Sequence, residues 1–341
     1  MNSGLEGVVA AETRLSMVDG ERGELVIGGF RVEELSSWRF EDVVELLWGE
    51  DVGRGENVGR ASAWPVRLKP DLRLPMDALR AGVARLEGDD ARMILWSCPA
   101  IVAAHWRERQ GLEPVAPRED LGFAANYLWM LNGVEPHAEV VRGLETYLNT
   151  VVDHGLNAST FTARVIASTG SDLVSAVTGA IGALKGPLHG GAPGPALDTV
   201  FEIGDAARAE EVLRRKIESG ERLMGFGHRV YKVRDPRADV LAAAAERMFT
   251  RAGDMHLYEL ARAVERTALR LLEEYKPGRR LQTNVEFYTA LLLHGIGLDT
   301  ELFTPTFAIS RVAGWIAHCF EQRKVGRLIR PQSVYVGPVP A

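Results

Sequence analysis

Histidines set among glycines are the residues of this sequence best suited to chemistry. In Gly186-Pro187-Leu188-His189-Gly190-Gly191-Ala192-Pro193-Gly194, one imidazole sits in a loop built mainly of residues without side-chain bulk. Glycine lets a backbone turn sharply and lets a ligand come close, and a purely structural histidine needs neither. Pro195 suits the first turn of a following helix, with Ala196, Leu197, Val200 and Phe201 as its apolar face. His189 then lies near a helix N-terminus, where the positive end of the dipole disfavours imidazolium. A neutral ring there can donate a hydrogen bond to a carbonyl oxygen. The plainer alternative is a Gly/Pro turn with an incidental histidine.

Three more stretches mix glycine or a helix end with histidine and charge: Asp153-His154-Gly155-Leu156-Asn157-Ala158-Ser159-Thr160, Met224-Gly225-Phe226-Gly227-His228-Arg229-Val230-Tyr231-Lys232 running on to Asp235-Pro236-Arg237, and Asn284-Val285-Glu286-Phe287-Tyr288. Each has a bland reading. His154 could donate to the last carbonyls of its helix. Gly225 to His228 could be a simple turn, and Glu286 could complement a helix dipole. Together they point to a shared purpose. His189, His228 and Glu286 also have the composition of a two-histidine, one-carboxylate metal site. No HExxH or similar ligand spacing supports that reading, and no metal is expected.

The elements that must position these residues read almost entirely as helix. Apolar residues recur at helical spacing at Val140, Val141, Leu144, Tyr147, Leu148, Val151 and Val152, and again at Leu257, Leu260, Val264, Ala268, Leu271, Leu272 and Tyr275. Leu25 to Phe30 and Val334 to Val336 are the candidate strands. Breaks fall at Gly53 to Pro75, Gly111 to Pro117 and Lys276-Pro277-Gly278. The seven tryptophans are scattered through helical segments, so packing is their default role. An all-α protein follows, with any second domain inserted rather than joined by a linker.

A net charge of −6 gives no general field for nucleic acid or anionic membrane, so an anionic ligand must be held by local arginines. The two cysteines lie far apart without CxxC spacing and imply no disulfide framework. The N-terminal stretch lacks the basic start and apolar run of a secretory signal, and the most apolar internal run, Ala176 to Leu184, is too short to span a bilayer. A cytoplasmic protein is expected.

The motifs GPLHGG, MGFGHRVYK with DPRA, NVEFY, LFTPTFAISRVAGW and RLIRPQSVYVGP together resemble the citrate synthase family, in the same order along the chain. The segment GLEGVVAAETRLSMVDGERGEL is also similar to that family's N-terminal part. The resemblance implies a mostly helical homodimer, with a large domain (1–188 plus 293–341) and a small inserted domain (189–292) closing over oxaloacetate and an acyl-CoA. It implies that His189 polarises the thioester carbonyl, Glu286 stands at the enolising carboxylate, and His228 hydrogen-bonds the oxaloacetate ketone. His154, Arg237 and Arg311 match oxaloacetate-binding positions, and Arg330 matches an arginine reaching across to the partner subunit. Met224, Gly225, Phe226 and Gly227 correspond to the turn that contacts adenine of coenzyme A, with Lys232 near its phosphates. No tightly bound cofactor is implied, since the coenzyme A thioester is a co-substrate.

The residue types suit that chemistry. A thioester α-proton is far less acidic than a carboxyl, so a carboxylate base needs an acid partner at the carbonyl oxygen as the enolate develops. A small dicarboxylate calls for planar, permanently charged arginine forks. The sequence departs from the family at several points. Glu286 stands where aspartate is usual, adding roughly 1.5 Å of bond length. Gly155 replaces a glutamate, Gly28-Gly29-Phe30 stands for RGY or RGF, and Ala192-Pro193-Gly194 stands where GANE is common. Two alternatives follow: a 2-methylcitrate synthase using propionyl-CoA, and a non-catalytic or weakly active CoA-binding homologue.

Overall fold

The computed structural model describes residues 4–5, 7–52, 73–190, 193–228 and 230–338. It opens with a small antiparallel sheet, β1 (Ser16–Asp19), β2 (Glu24–Ile27) and β3 (Phe30–Arg31), in the order β1-β2-β3. Ser16 pairs with Ile27, and Ile27 pairs with Phe30. Leu25 and Ile27 are buried while their neighbours are only partly so, the alternation a one-sided sheet requires. The run read as one strand, Leu25 to Phe30, is two strands. Gly28 and Gly29 both have positive φ, 59° and 92°, and form the two-residue turn that reverses the chain. Val334 to Val336 is not a strand: its side chains are exposed and no neighbouring strand pairs with it among the described residues. Alternating β-formers are insufficient without a partner edge.

Fourteen α-helices follow among the described residues. They are α1 (Val32–Leu35), α2 (Phe40–Trp48), α3 (Pro75–Val83), α4 (Ala91–Arg109), α5 (Phe123–Asn132), α6 (Ala138–Val151) and α7 (Ala158–Ala167), then α8 (Leu173–Leu184), α9 (Pro193–Ile203), α10 (Ala209–Glu218), α11 (Pro236–Ala252), α12 (His256–Tyr275), α13 (Val285–Ile296) and α14 (Phe303–Val325). The two predicted apolar stripes are the buried faces of α6 and α12. Pro195 lies in the first turn of α9, where Ala196, Leu197 and Val200 are buried. Phe201 departs from the expected face and is exposed. Trp64 and most of the Gly53 to Pro75 break lie outside the described residues, and Pro75 itself opens α3.

The central element is α14, buried without a gap from Ala308 to Cys319 and packed against α2, α4, α6, α7 and α8. A helix apolar all round belongs in a core, so the polar residues it carries need partners. Ser310 Oγ donates to Leu148 O, and Trp48 Nε1 donates to Ala313 O. At Gly314 a Cβ would overlap Val152 O, so the helix approaches the end of α6 backbone to backbone. That approach carries Arg311 to the residues after α6.

Candidate active site

Three helix ends and two loops converge on the charged residues. After α6 the chain runs through Asp153, His154 and Gly155. The guanidinium Nε of Arg311, on α14, donates to Val151 O and caps α6, the task His154 had been given in its plainer reading. Asp153 is fully buried, accepting from Ser16 Oγ at 2.5 Å and His318 Nε2 at 3.1 Å. Burial works against its charge, but His318, Arg311 and Ser16 outweigh it and hold the carboxyl below its usual range. Ser16 Oγ also accepts from Gly155 N at 2.8 Å, so strand β1 fixes the loop. Gly155 has φ of 60°, a left-handed conformation that suits glycine better than the glutamate common there.

His189 follows α8 in a turn closed by its own N–H to Gly186 O and by Gly190 N to Leu184 O. Gly191 and Ala192 lie outside the described residues. The ring Nε2 is 2.9 Å from Ser159 Oγ, which also receives Trp315 Nε1 at 3.2 Å. The hydroxyl can turn its proton to Asn157 Oδ1, 2.7 Å away, or to His189 Nε2. In the second arrangement the ring proton sits on Nδ1. Burial, with the charge of Arg311, pushes the imidazole down to about 4, so the ring is neutral near pH 7.

His228 is neutral for the same kind of reason: burial, then Arg237, push it down to about 4. Its Nδ1 accepts from Val230 N and Tyr231 N, each at 3.1 Å, which leaves the proton on Nε2. That Nε2 lies 3.5 Å from Arg237 Nη2, itself a donor. Two donors facing one another call for an acceptor oxygen beside them. The ring of His154 stands 5.7 Å from that of His228, and its Nε2 is 3.2 Å from Tyr231 OH. Burial, Arg237, Arg311 and His228 together hold His154 well below its ordinary value.

Arg237 and Arg311 are both almost wholly buried, 3% and 2% exposed, and are differently supplied. Arg237 has a two-point partner in Asp235, with Nε at 3.0 Å and Nη2 at 2.8 Å, and stacks over Tyr231. Among the described residues Arg311 Nη1 has no hydrogen-bond partner. Burial, with repulsion from Arg237, lowers its guanidinium to about 10, although Asp153 favours the charge.

Glu286 lies in the first turn of α13. Asn284 caps that helix through its Oδ1, reaches Gly227 O at 2.8 Å through its Nδ2, and bonds Gly225 O through its backbone N–H. The Met224–Gly227 turn is thereby tied to the segment that carries Glu286. Gly225 and Gly227 have φ of 89° and 82°, and Cβ atoms there would press on Phe287 and Leu281. Burial raises the Glu286 carboxyl to about 7 against the opposing charges of Arg237 and Arg222. Lys232 is exposed, with its backbone N–H bonded to Gly20 O.

His154, His228, Arg237, Arg311 and Glu286 therefore lie within one electrostatic cluster, with His189 beside Arg311. Arg330 is not among them: it is exposed on the tail beyond α14, whose nearby fastenings are Ile329 N to Ser168 Oγ and Gln322 Nε2 to Arg327 O. Among the described residues no group of three or more His, Cys, Asp or Glu is arranged to hold a metal. Sequence reasoning assigned no part to Ser159, Tyr231, Asp235 or Trp315. Asp235 carried a signal, since an Asp-Pro pair is a usual helix start. The Ser159 to His189 contact spans 30 residues and had none.

A mostly helical chain with buried arginines beside neutral histidines is the frame of a small-molecule enzyme, and the comparisons place it. A family profile described as citrate synthase, C-terminal domain, matches residues 4–332, so the chain belongs to the citrate synthase family. It is 39% identical to citrate synthase 2 of Bacillus subtilis, covering 98% of this chain and 95% of that one. It is 37% identical to 2-methylcitrate synthase of Mycobacterium tuberculosis, covering 99% and 91%. The citrate synthase of Thermoplasma acidophilum, solved with carboxymethyl coenzyme A and oxaloacetate, superposes with a TM-score of 0.88 at 30% identity, covering 100% of this chain and 97% of that one.

Proposed function

We propose that this protein condenses acetyl-CoA with oxaloacetate and hydrolyses the resulting thioester, giving citrate and coenzyme A. The observation that carries the reading is the pair of buried arginines, one with an Nη1 that has no partner among the described residues. Asp235 already compensates Arg237 and Asp153 favours the charge of Arg311, so the donor left over is Arg311 Nη1, which a carboxylate of a compact dicarboxylate can satisfy.

In this reading Arg237, Arg311 and His154 hold oxaloacetate with its ketone oxygen at His228 Nε2. Glu286 takes a proton from the carbon next to the thioester carbonyl, while His189 donates a hydrogen bond to the carbonyl oxygen. A base raised to about 7 suits this step, because it is ionised near neutrality yet more basic than an ordinary carboxylate. The enolate carbon attacks the ketone carbon, His228 gives its proton to the new alkoxide, and water then releases the coenzyme A thiol. The 224–227 turn and Lys232 receive coenzyme A. Residues 189–292 close as a smaller domain over both substrates, Arg330 reaches the site of a second copy in a homodimer, and the enzyme works in the cytoplasm.

Thiol release from purified protein with both substrates tests the proposal, and a folded dimer that releases none above background would sink it. Glu286→Asp separates a working base from a non-catalytic homologue. We expect the variant to be slower, by about a hundredfold for a displacement near 1 Å. A faster variant would mark Glu286 as a handicap. The similarity to a 2-methylcitrate synthase, close to that for citrate synthases, supports propionyl-CoA as the second candidate. One methyl group is worth about 1 to 3 kcal/mol, so kcat/KM for the two thioesters decides.

A further inference from the structure

One carboxylate gathers donors from both segments that carry site residues. Glu265, on α12, is 3% exposed. It accepts from Thr283 Oγ1 at 2.7 Å, Tyr288 OH at 2.6 Å, Arg234 Nη1 at 2.6 Å and Arg262 Nη1 at 3.1 Å. Thr283 and Tyr288 flank Asn284 and Glu286, Arg234 immediately precedes Asp235, the two-point partner of Arg237, and Arg262 stands one turn away on α12.

We propose that Glu265 is a positioning residue, a clamp that fixes the segment bearing Glu286 against the segment bearing Asp235 and Arg237. The inference rests on the condensation reading for what the clamp serves. Direct links between the segments exist but are long: Val285 N to Asp235 Oδ2 at 3.2 Å and Asp235 N to Thr283 O at 3.4 Å. Glu265 adds short, charge-assisted bonds to each side. A buried ionic network contributes little to stability over well-packed apolar residues, so what this one supplies is geometry. Burial opposes the charge of Glu265, but Tyr288, Arg234 and Thr283 hold its carboxyl below the usual range, and the clamp stays ionised near neutral pH. The carboxylate bonds none of the residues assigned to substrate, so its effect must pass through them.

The test compares wild type with Glu265→Gln, and with the double variant Thr283→Val, Tyr288→Phe should the first not fold. We expect kcat for thiol release to fall by about tenfold to a hundredfold, as for a reacting group displaced by up to about 1 Å. Oxaloacetate affinity by calorimetry should stay near the wild-type value, because Asp235 still holds Arg237. A second readout needs no turnover: the titration of the Glu286 carboxyl by carbon-13 NMR, assigned with Glu286→Gln. Its midpoint depends on the placement of Arg237, Arg222 and Asp235 and should move from its wild-type position in the clamp variant. A folded Glu265→Gln protein with wild-type kcat and an unmoved midpoint overturns the clamp. An inactive wild type whose Glu286 midpoint still moves in the variant overturns the condensation reading and leaves the clamp standing.

Discussion

On one side of the site Ser159, His189 and Arg311 are fixed by packed helices, through Trp315, the end of α6 and the buried Asp153–His318 pair. On the other side His228, Arg237 and Glu286 stand on loops and helix starts that are bound to one another: the 224–228 turn to Asn284, and Asp235 to Val285. The first side derives its precision from apolar packing, which a single lost hydrogen bond leaves largely intact. The second adds a few polar links to the packing of α11 on α13, and these links, rather than packing alone, fix the loop and helix-start residues. The two arginines differ in the same sense. Arg237 is already compensated by Asp235, whereas Arg311 keeps an unpaired donor that a ligand can satisfy.

The largest expected effect lies on the loop side. Glu286→Gln should lower kcat by about 10² to 10⁴, the usual range for a lost general base, with the melting temperature at pH 8 unchanged or higher. Thiol-release kinetics beside a thermal melt checks both halves. Next, Arg311→Met should raise KM for oxaloacetate roughly thirtyfold, since removing one member of a buried charged contact costs about 2 kcal/mol or more. It should also lower the melting temperature of the ligand-free protein, because the cap on Val151 O and the cation facing buried Asp153 are both lost, and a higher one would mean that burial of the guanidinium costs more than these contacts return. Ser159→Ala, on the helix side, should reduce kcat about fivefold at constant oxaloacetate affinity, because one hydrogen bond orienting His189 is worth about 1 kcal/mol.

The smallest effect is a pH dependence of stability. Glu286 is raised in the folded state to about 7 from an ordinary 4.5, so its contribution is fully present below 4.5 and is lost as pH rises through 7. His189 and His228 are lowered to about 4 from 6.5, so theirs is present above 6.5 and is lost as pH falls through 4. Between pH 5.5 and 7 the two histidines add stability as pH rises and outweigh the single carboxyl, so melting temperatures should climb over that range and climb more steeply in Glu286→Gln. An identical slope in the two proteins would contradict the placement of that carboxyl.

Much of this was legible before any coordinates. Helical periodicity gave α6 and α12, residue chemistry singled out the stretches that hold His154, His228, Arg237 and Glu286, and the family resemblance added Arg311; the fold brings these five together. What could not be read depends on pairing across distance. Ser159 and Tyr231 lie inside stretches noted for their histidines, yet their partners, His189 and His154, stand 30 and 77 residues away. The family resemblance named Arg330, which the fold leaves exposed on the tail beyond α14. Phe201 and the Val334 to Val336 segment show the opposite error, apolar patterns read as buried or paired that the fold leaves exposed.

The β1–β2 hairpin has a bearing on how the protein is made. Ser16 holds Asp153 across 137 residues, and at the hairpin turn Gly20 lies so close to Val230 that a Cβ would overlap its carbonyl. During synthesis from the N-terminus this early strand must wait for partners made much later, so its side of the site is a late, high-contact-order step. Until then the hairpin is a small sheet with unpaired edges. Bulk added at Gly20 should therefore slow maturation of the fold before it alters the finished enzyme, and refolding rates would register it sooner than turnover.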